Sequence, residues 1–449
     1  LDQQEKFMND LLALPLRDLV RSLGQRDVTA AAIVRALIVR IEADEGRVHA
    51  WQFFDPALAL RQAKQLDAGA IQGVLHGVPI GVKDLMDTAD MPTAYGSQIY
   101  AGHRPTTDAA VVAAGRAAGA IVMGKTVTTE FATYQPGPTI NPRAILSTTP
   151  DVARTPGGSS SGSAAAVACG MVPLAFGTQT AGSIIRPAAY CGIVGYKPTH
   201  GTLPSNGIKA LAPSLDTVGV LARSVDDAAF FVGALARWPW SEHGPDPAQS
   251  GRIRVGICHT PHWERASVDA RAALAHAAGL LEQRGATLCD LRSASDHDWM
   301  QGLTQAQIDI MAHEANAAFA PELWSSPDGL STAFRALLTS GQAVDGQQFF
   351  AAQQHAASAR HAFDALFQGV DRLDIVLAPS TEGEAPPGLD HTGDPIFNRM
   401  WTLLGNPCVH VPLGNGSNGM PIGVTVIGPR WGDAQTLAIA RRLERARLE

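Results

Sequence analysis

Residues 109–126, AAVVAAGRAAGAIVMGKT, run from an alanine-rich helical pattern through a glycine break into a short apolar strand pattern. The same alternation recurs along the chain. Residues 8–42 read as two amphipathic helices, the second capped by Thr29 before AAAIVRALIVRIEA. Residues 56–68 read as a further helix, and 78–83 as a strand carrying Val78, Ile80 and Val82. VPLAFGTQT reads as a strand entering a loop, and RIRVGICHT, LDIVLAPS, PCVHVPLG and MPIGVTVIG as further strands. Residues 296–370 are mostly of helical pattern, and 237–251, RWPWSEHGPDPAQSG, is linker-like. Helices and strands alternating in this way predict an α/β layered fold.

Composition excludes several functional classes. A chain of 449 residues that is 45% hydrophobic and 17% charged is globular. A net charge of −7 argues against a general nucleic-acid binder, which needs a basic face. No apolar run is long enough to span a membrane. The first forty residues, with repeated Arg, Asp and Glu, do not resemble a signal peptide, so a cytoplasmic location is expected. The cysteines Cys169, Cys191, Cys258, Cys289 and Cys408 are odd in number, scattered and without a CxxC pair, which reads as free thiols. No histidine–acid spacing suggests a metal, and no cofactor motif is present.

Two short stretches carry the chemistry. Lysine is rare here, so Lys83 at the end of GVLHGVPIGVK stands out; it is either a stem-buried lysine with a wet ammonium or a buried functional amine. The second stretch is TPGGSSSGSAAAVACG, 155–170. It lacks the GK[ST] of a P-loop. Gly158 to Gly162 matches G-x-S-x-G by letters, but the polar, proline-broken STTPDVARTP before it is no strand, which a nucleophile elbow requires. A linker fits poorly too, because the segment continues into apolar sequence. What is left is a glycine–serine loop capping a buried helix.

A third stretch, GTQTAGSIIRPAAYCGIVGYKPT at 177–199, also places a serine after small residues. Together with GVPIGVKDL, GGSSSGSAAAVA, SLDTVG and the C-terminal LGNPCVHVPLG and MPIGVTVIGPRWGDAQTLAIARRLE, it resembles the amidase signature family of serine hydrolases. The resemblance covers most of the chain. It implies a single large domain over 1–449 with a mixed central β-sheet wrapped by helices, its signature core at about 70–230. It implies a Ser-Ser-Lys triad in which Lys83 is the base, Ser159 the bridging serine after a cis peptide bond, and Ser183 the nucleophile. Two departures stand out: Ser161 replaces a glycine in GGSSSGS, and Ala181-Gly182-Ser183 stands for the usual GGS, with Gln179 where Asp is also common.

The residue types suit that chemistry. A serine hydroxyl needs a base within hydrogen-bond reach, and a lysine serves only when neutral, a state favoured by burial. Thr180, Ala181 and Gly182 have little side chain to obstruct backbone N–H donors for an oxyanion. Ser160 is expected to brace the serine loop. Arg186 is either a structural arginine paired with a carboxylate such as Asp216 or a ligand for an acidic substrate, the structural role being the one expected. His76, His200 and His410 are expected to be bystanders. The expected activity is cofactor-free cleavage of an amide C–N bond through an acyl-enzyme. The apolar content of 296–370, including Trp299, Met300, Ile308, Met311 and Phe319, suggests neutral aryl or alkyl amides, anilides or carbamates. The expected partners are a small-molecule amide and at most a second copy of the chain, with neither nucleic acid nor membrane. Two alternatives stand beside this: the amidase component of a tRNA-dependent amidotransferase, from whose SIRQPA type SIIRPA departs, and a non-catalytic binding module.

Overall fold

The computed structural model describes residues 11–145, 153–238, 253–291 and 298–448. The linker-like 237–251 lies almost wholly outside them. The first half supplies strands β1 (Trp51–Phe54), β2 (Pro79–Lys83), β3 (Ile121–Thr126), β4 (Leu174–Gln179), β5 (Val194–Lys197) and β6 (Thr217–Ala222). The second half supplies β7 (Arg254–Ile257), β8 (Thr287–Asp290), β9 (Ile375–Pro379), β10 (Cys408–Asn415) and β11 (Pro421–Ile427). All belong to one mixed sheet in the order β1-β3-β2-β4-β6-β5-β10-β11-β9-β7-β8. The trio β3-β2-β4 is parallel, as is β9-β7-β8, and antiparallel pairs join them.

Helices cover the sheet. Leu16–Gly24 (α1) and Ala30–Val48 (α2) are the two N-terminal helices, and the Thr29 side chain caps α2 by accepting from Ala32 N–H. Pro56–Ala68 (α3) starts with the Asp55 carboxylate accepting from Ala57 and Leu58 N–H. Ala110–Ala117 (α4) precedes β3 as the sequence indicates. Ser161–Ala168 (α5) is small-residued because it has no room for anything larger: a Cβ on Gly162 would meet the Ala50 carbonyl oxygen at 2.2 Å and Val127 N at 2.4 Å. Ser161 fits in place of a glycine because its hydroxyl donates to the Val127 carbonyl.

Ile185–Cys191 (α6) follows β4. Leu303–Ala318 (α7), Thr332–Ala343 (α8), Gly346–Ala365 (α9) and Arg399–Leu404 (α10) form a helical layer of their own. Against it, the rings of Phe131, Phe319 and Phe334 pack in tilted and edge-to-face pairs at centroid distances of 4.8–5.0 Å. Trp299 lies 5.4 Å from Phe363, and Met311 is buried. Phe319 and Met311 thus spend their apolar surface on a second core, each such side chain stabilising it by roughly 1.5–3 kcal/mol. Met311 and Phe319, two of the apolar residues expected to line a substrate pocket, are committed to this core.

Lys125 on β3 is as buried as Lys83 on β2, but Asp84 Oδ1 lies 3.2 Å from its ammonium and Thr93 Oγ1 accepts from it at 2.5 Å. Asp84 therefore serves Lys125, as expected from successive strand residues pointing to opposite faces. Breaking a buried pair leaves one charge uncompensated, whereas removing both is often nearly neutral. Lys125→Met should lower the unfolding free energy by about 3–5 kcal/mol in denaturant titration, and Asp84→Asn added to it should recover most of the loss. Equal stability of the single and double variants would show that the pair is not coupled.

Candidate active site

Because β2 and β4 are parallel neighbours, their carboxyl ends open on the same side of the sheet. That is where small-molecule sites form in open α/β sheets. Lys83 closes β2 and is fully buried. Its Nζ lies 2.7 Å from Ser159 Oγ and 2.7 Å from Thr178 Oγ1 on β4. No carboxylate forms an ion pair with it among the described residues. Burial pushes its pKa down to about 7, with the Asp216 charge pulling the other way. A lysine in this state is substantially neutral near neutral pH.

Ser159 follows a cis Gly158–Ser159 peptide bond and precedes α5. Thr129 N–H donates to its carbonyl at 3.3 Å. Ser160 braces the loop as expected: its hydroxyl donates to the Thr178 carbonyl and accepts from Thr178 N–H, both at 3.4 Å. Ser183 sits in the turn between β4 and α6, is 6% exposed, and accepts at its carbonyl from Ser160 N–H. The two serine loops therefore lie against each other, with the lysine beneath the first.

The turn 180–183 is held from several directions. Gln179 Oε1 accepts from Ile184 and Ile185 N–H at 2.9 and 3.1 Å, and its Nε2 donates to Thr402 Oγ1 at 3.0 Å. Thr402, on α10, donates to the Ala181 carbonyl at 2.7 Å. Gln307, on α7, donates to the Thr180 carbonyl at 2.9 Å, and Arg399 donates to Gln307. Thr180 Oγ1 donates to Asp216 at 2.5 Å. The carbonyls of Thr180 and Ala181 are thus tied back. The N–H groups of Ala181, Gly182 and Ser183 donate to no acceptor among the described residues.

Arg186 does not pair with Asp216. Its guanidinium donates to the carbonyls of Gly158 at 2.7 Å and Gly393 at 2.9 Å, and to Thr392 Oγ1 at 3.1 Å. Asp216 is occupied by Thr180 and by the N–H groups of Leu211 and Ala212. Arg186 is structural by a different route: it clamps the loop that carries Ser159. The histidines stand apart from the serines. His410 bonds Ser380, and burial pushes it down to about 3. His76 accepts from Gln72 N–H. Burial lowers His200 as well. No group of metal-ligating side chains is found among the described residues.

The family model for amidases matches residues 32–437. The chain belongs to the amidase family. It is 32% identical over 487 residues to a glutamyl-tRNA(Gln) amidotransferase subunit from Anaeromyxobacter sp. (strain K), covering 97% of this chain and 96% of the relative. It is 31% identical over 469 residues to the corresponding protein of Rhodopirellula baltica, covering 92% of each. Among solved structures, a crystal structure of an amidase superposes with a TM-score of 0.84 at 28% identity, over 96% of this chain and 99% of that one. Native peptide amidase from Stenotrophomonas maltophilia superposes with a TM-score of 0.75 at 27% identity, over 96% of both chains. Family and neighbours support a hydrolase acting on amide C–N bonds.

Sequence motifs pointed to Lys83, Ser159, Ser160 and Ser183 but not to the parts of this amidase that hold the turn. Thr178, Gln307, Arg399 and Thr402 carry no local signal; they become visible only once α7 and α10 fold over the sheet. Replacing Gln179 by Leu strands two buried N–H groups of α6. It should lower the unfolding free energy by about 1–3 kcal/mol, read from the denaturant midpoint. An unchanged midpoint would show that the turn holds without this amide.

Proposed function

We propose that this amidase cleaves a carboxylic amide by acyl transfer to Ser183. Neutral Lys83 accepts the proton of Ser159, Ser159 accepts the proton of Ser183, and the Ser183 oxygen adds to the amide carbon. The N–H groups of Ala181, Gly182 and Ser183, with Thr180 anchoring the start of the turn, receive the oxyanion. The relay then returns a proton to the leaving amine, the C–N bond breaks, and water releases the acid by the same route. The observation that carries this reading is a fully buried lysine with no ion-pair partner among the described residues, 2.7 Å from a serine hydroxyl.

A second reading is favoured by the curated relatives: the same acyl transfer used by one component of a tRNA-dependent amidotransferase. The two readings differ in what the isolated chain does. A free-standing amidase turns over simple amides alone, whereas the amidotransferase reading requires an added partner protein. A non-catalytic module would leave Ser183 unlabelled by a fluorophosphonate.

Ser183→Ala should abolish turnover with an unchanged fold, and a slow substrate should leave an acyl adduct on Ser183 of the unsubstituted protein by mass spectrometry. An adduct on Ser160 would overturn the assignment.

Protonation of Lys83 removes the base, so kcat/KM should fall as the pH drops through about 7. Arginine stays protonated, so Lys83→Arg should be nearly inactive at every pH. Single alanine replacements of His76, His200 and His410 should leave the acidic limb in place. Near-normal turnover by Lys83→Arg would refute lysine as the base.

A further inference from the structure

Arg399 opens α10 and is 6% exposed. Its Nη1 donates to Gln307 Oε1 at 2.5 Å. That contact uses one of five guanidinium donors. Nε and Nη2 donate to no protein acceptor among the described residues, yet neither is walled off from solvent. No carboxylate among the described residues forms an ion pair with it. Arginine is almost never buried to this degree without a partner, because an uncompensated charge is costly out of water.

The surroundings sharpen the point. Arg186, the other buried guanidinium beside the turn, bonds only carbonyls and a hydroxyl. Burial pushes it down to about 10; Tyr190 opposes that shift and the charge of Arg399 adds to it. His262 is lowered by burial, with Arg265 and Arg399 adding to the effect against Asp394. Asp394, the acid common to both, is held by Arg265 at 3.2 Å. Arg399 thus has other positive groups near it, and the nearby acids Asp394 and Glu382 are both bonded to Arg265. Arg399 also adjoins the reacting position: Gln307 ties it to Thr180, Asn398 packs on Gly182, and Thr402 bonds Ala181.

We infer that Arg399 anchors a carboxylate carried by the amide substrate, through the fork formed by its Nε–H and Nη2–H. That edge matches the two oxygens of a carboxylate. The inference rests on the acyl-transfer reading of Ser183 and names the class of amide it selects: one bearing a carboxylate within a short chain of the scissile bond. Bracing Gln307 needs only the third nitrogen, so the two duties of Arg399 are separable.

The experiment compares malonic, succinic and glutaric half-amides, and N-acetylglycine, with neutral isosteres such as propionamide, butyramide and N-ethylacetamide. The unsubstituted protein should favour at least one acidic member over its isostere. Arg399→Met should lower kcat/KM for that member by roughly 100-fold, mainly through KM. Arg399→Met also removes the Gln307 brace, so neutral amides should slow through kcat, but their kcat/KM should fall at least tenfold less than that of the acidic member, and Arg399→Lys should fall between. As a measurement without turnover, the preferred half-amide should raise the Tm of Ser183→Ala but not of Ser183→Ala/Arg399→Met. Equal losses on acidic and neutral amides would reduce Arg399 to a brace and overturn the proposal, as would a preference for neutral amides in the unsubstituted protein. If a fluorophosphonate labels Ser183 while those outcomes hold, the hydrolase reading stands and only the anchor fails. If nothing labels and no amide is turned over, the hydrolase reading fails; a Tm shift independent of Arg399 then removes the anchor as well.

Discussion

Two lysines lie fully buried on adjacent parallel strands, and only one has an acid bonded to it. Lys125 has Asp84 at 3.2 Å; Lys83 has two hydroxyls at 2.7 Å. This difference separates a structural cation from an amine able to lose its proton near neutrality, because burial without an ion pair penalises the charged form. The strands and loops around Lys83 serve that state. Strand β2 is buried along its whole length, α5 packs its glycine on the Ala50 carbonyl, and Ser159 meets the amine from the loop ahead of that helix.

The turn at Ser183 is organised on the opposite principle. Lys83 is defined by what is withheld from it, whereas the turn is defined by how much is attached to it. Its carbonyls and flanking amides are tied to Gln307, Thr402 and Gln179. Fixing carbonyls on one side aims the N–H groups of the same peptides to the other, and donors held in advance need no reorganisation when charge develops. Arg186 does for the Ser159 loop what Gln179 does for the Ser183 turn, by gripping the Gly158 carbonyl.

Much of this was legible in the sequence, for physical reasons that differ by element. Helix α2 announces itself by its Thr29 cap, α3 and α4 by helical pattern alone, and β2, β3 and β4 by apolar runs that end at glycine or polar residues. Strands β1, β5 and β8 are only four residues long, too short to show a period. Strand β6 is buried on both faces, so it does not alternate. Lys83 was legible as a rare residue type at the end of an apolar strand, and the serines through small-residue motifs that resemble the amidase signature family. The partner of Arg186 was not, because a guanidinium bonds carbonyls as readily as carboxylates and carbonyls leave no trace in a sequence. The apolar residues of 296–370 suggested a pocket because a core and a lining look alike by composition; only the packing of Phe131, Phe319 and Phe334 tells them apart.

The attachment of Thr402 to Ala181, 221 positions earlier, has a consequence for the life of the chain before it is complete. A ribosome that has delivered α6 has already delivered Lys83, Ser159 and Ser183. It has not yet delivered α7 or α10, which hold the turn. Until then the Ser183 turn lacks the bonds that Gln307 and Thr402 make to its carbonyls. The tethers of the turn thus arrive late in synthesis, with the last third of the polypeptide.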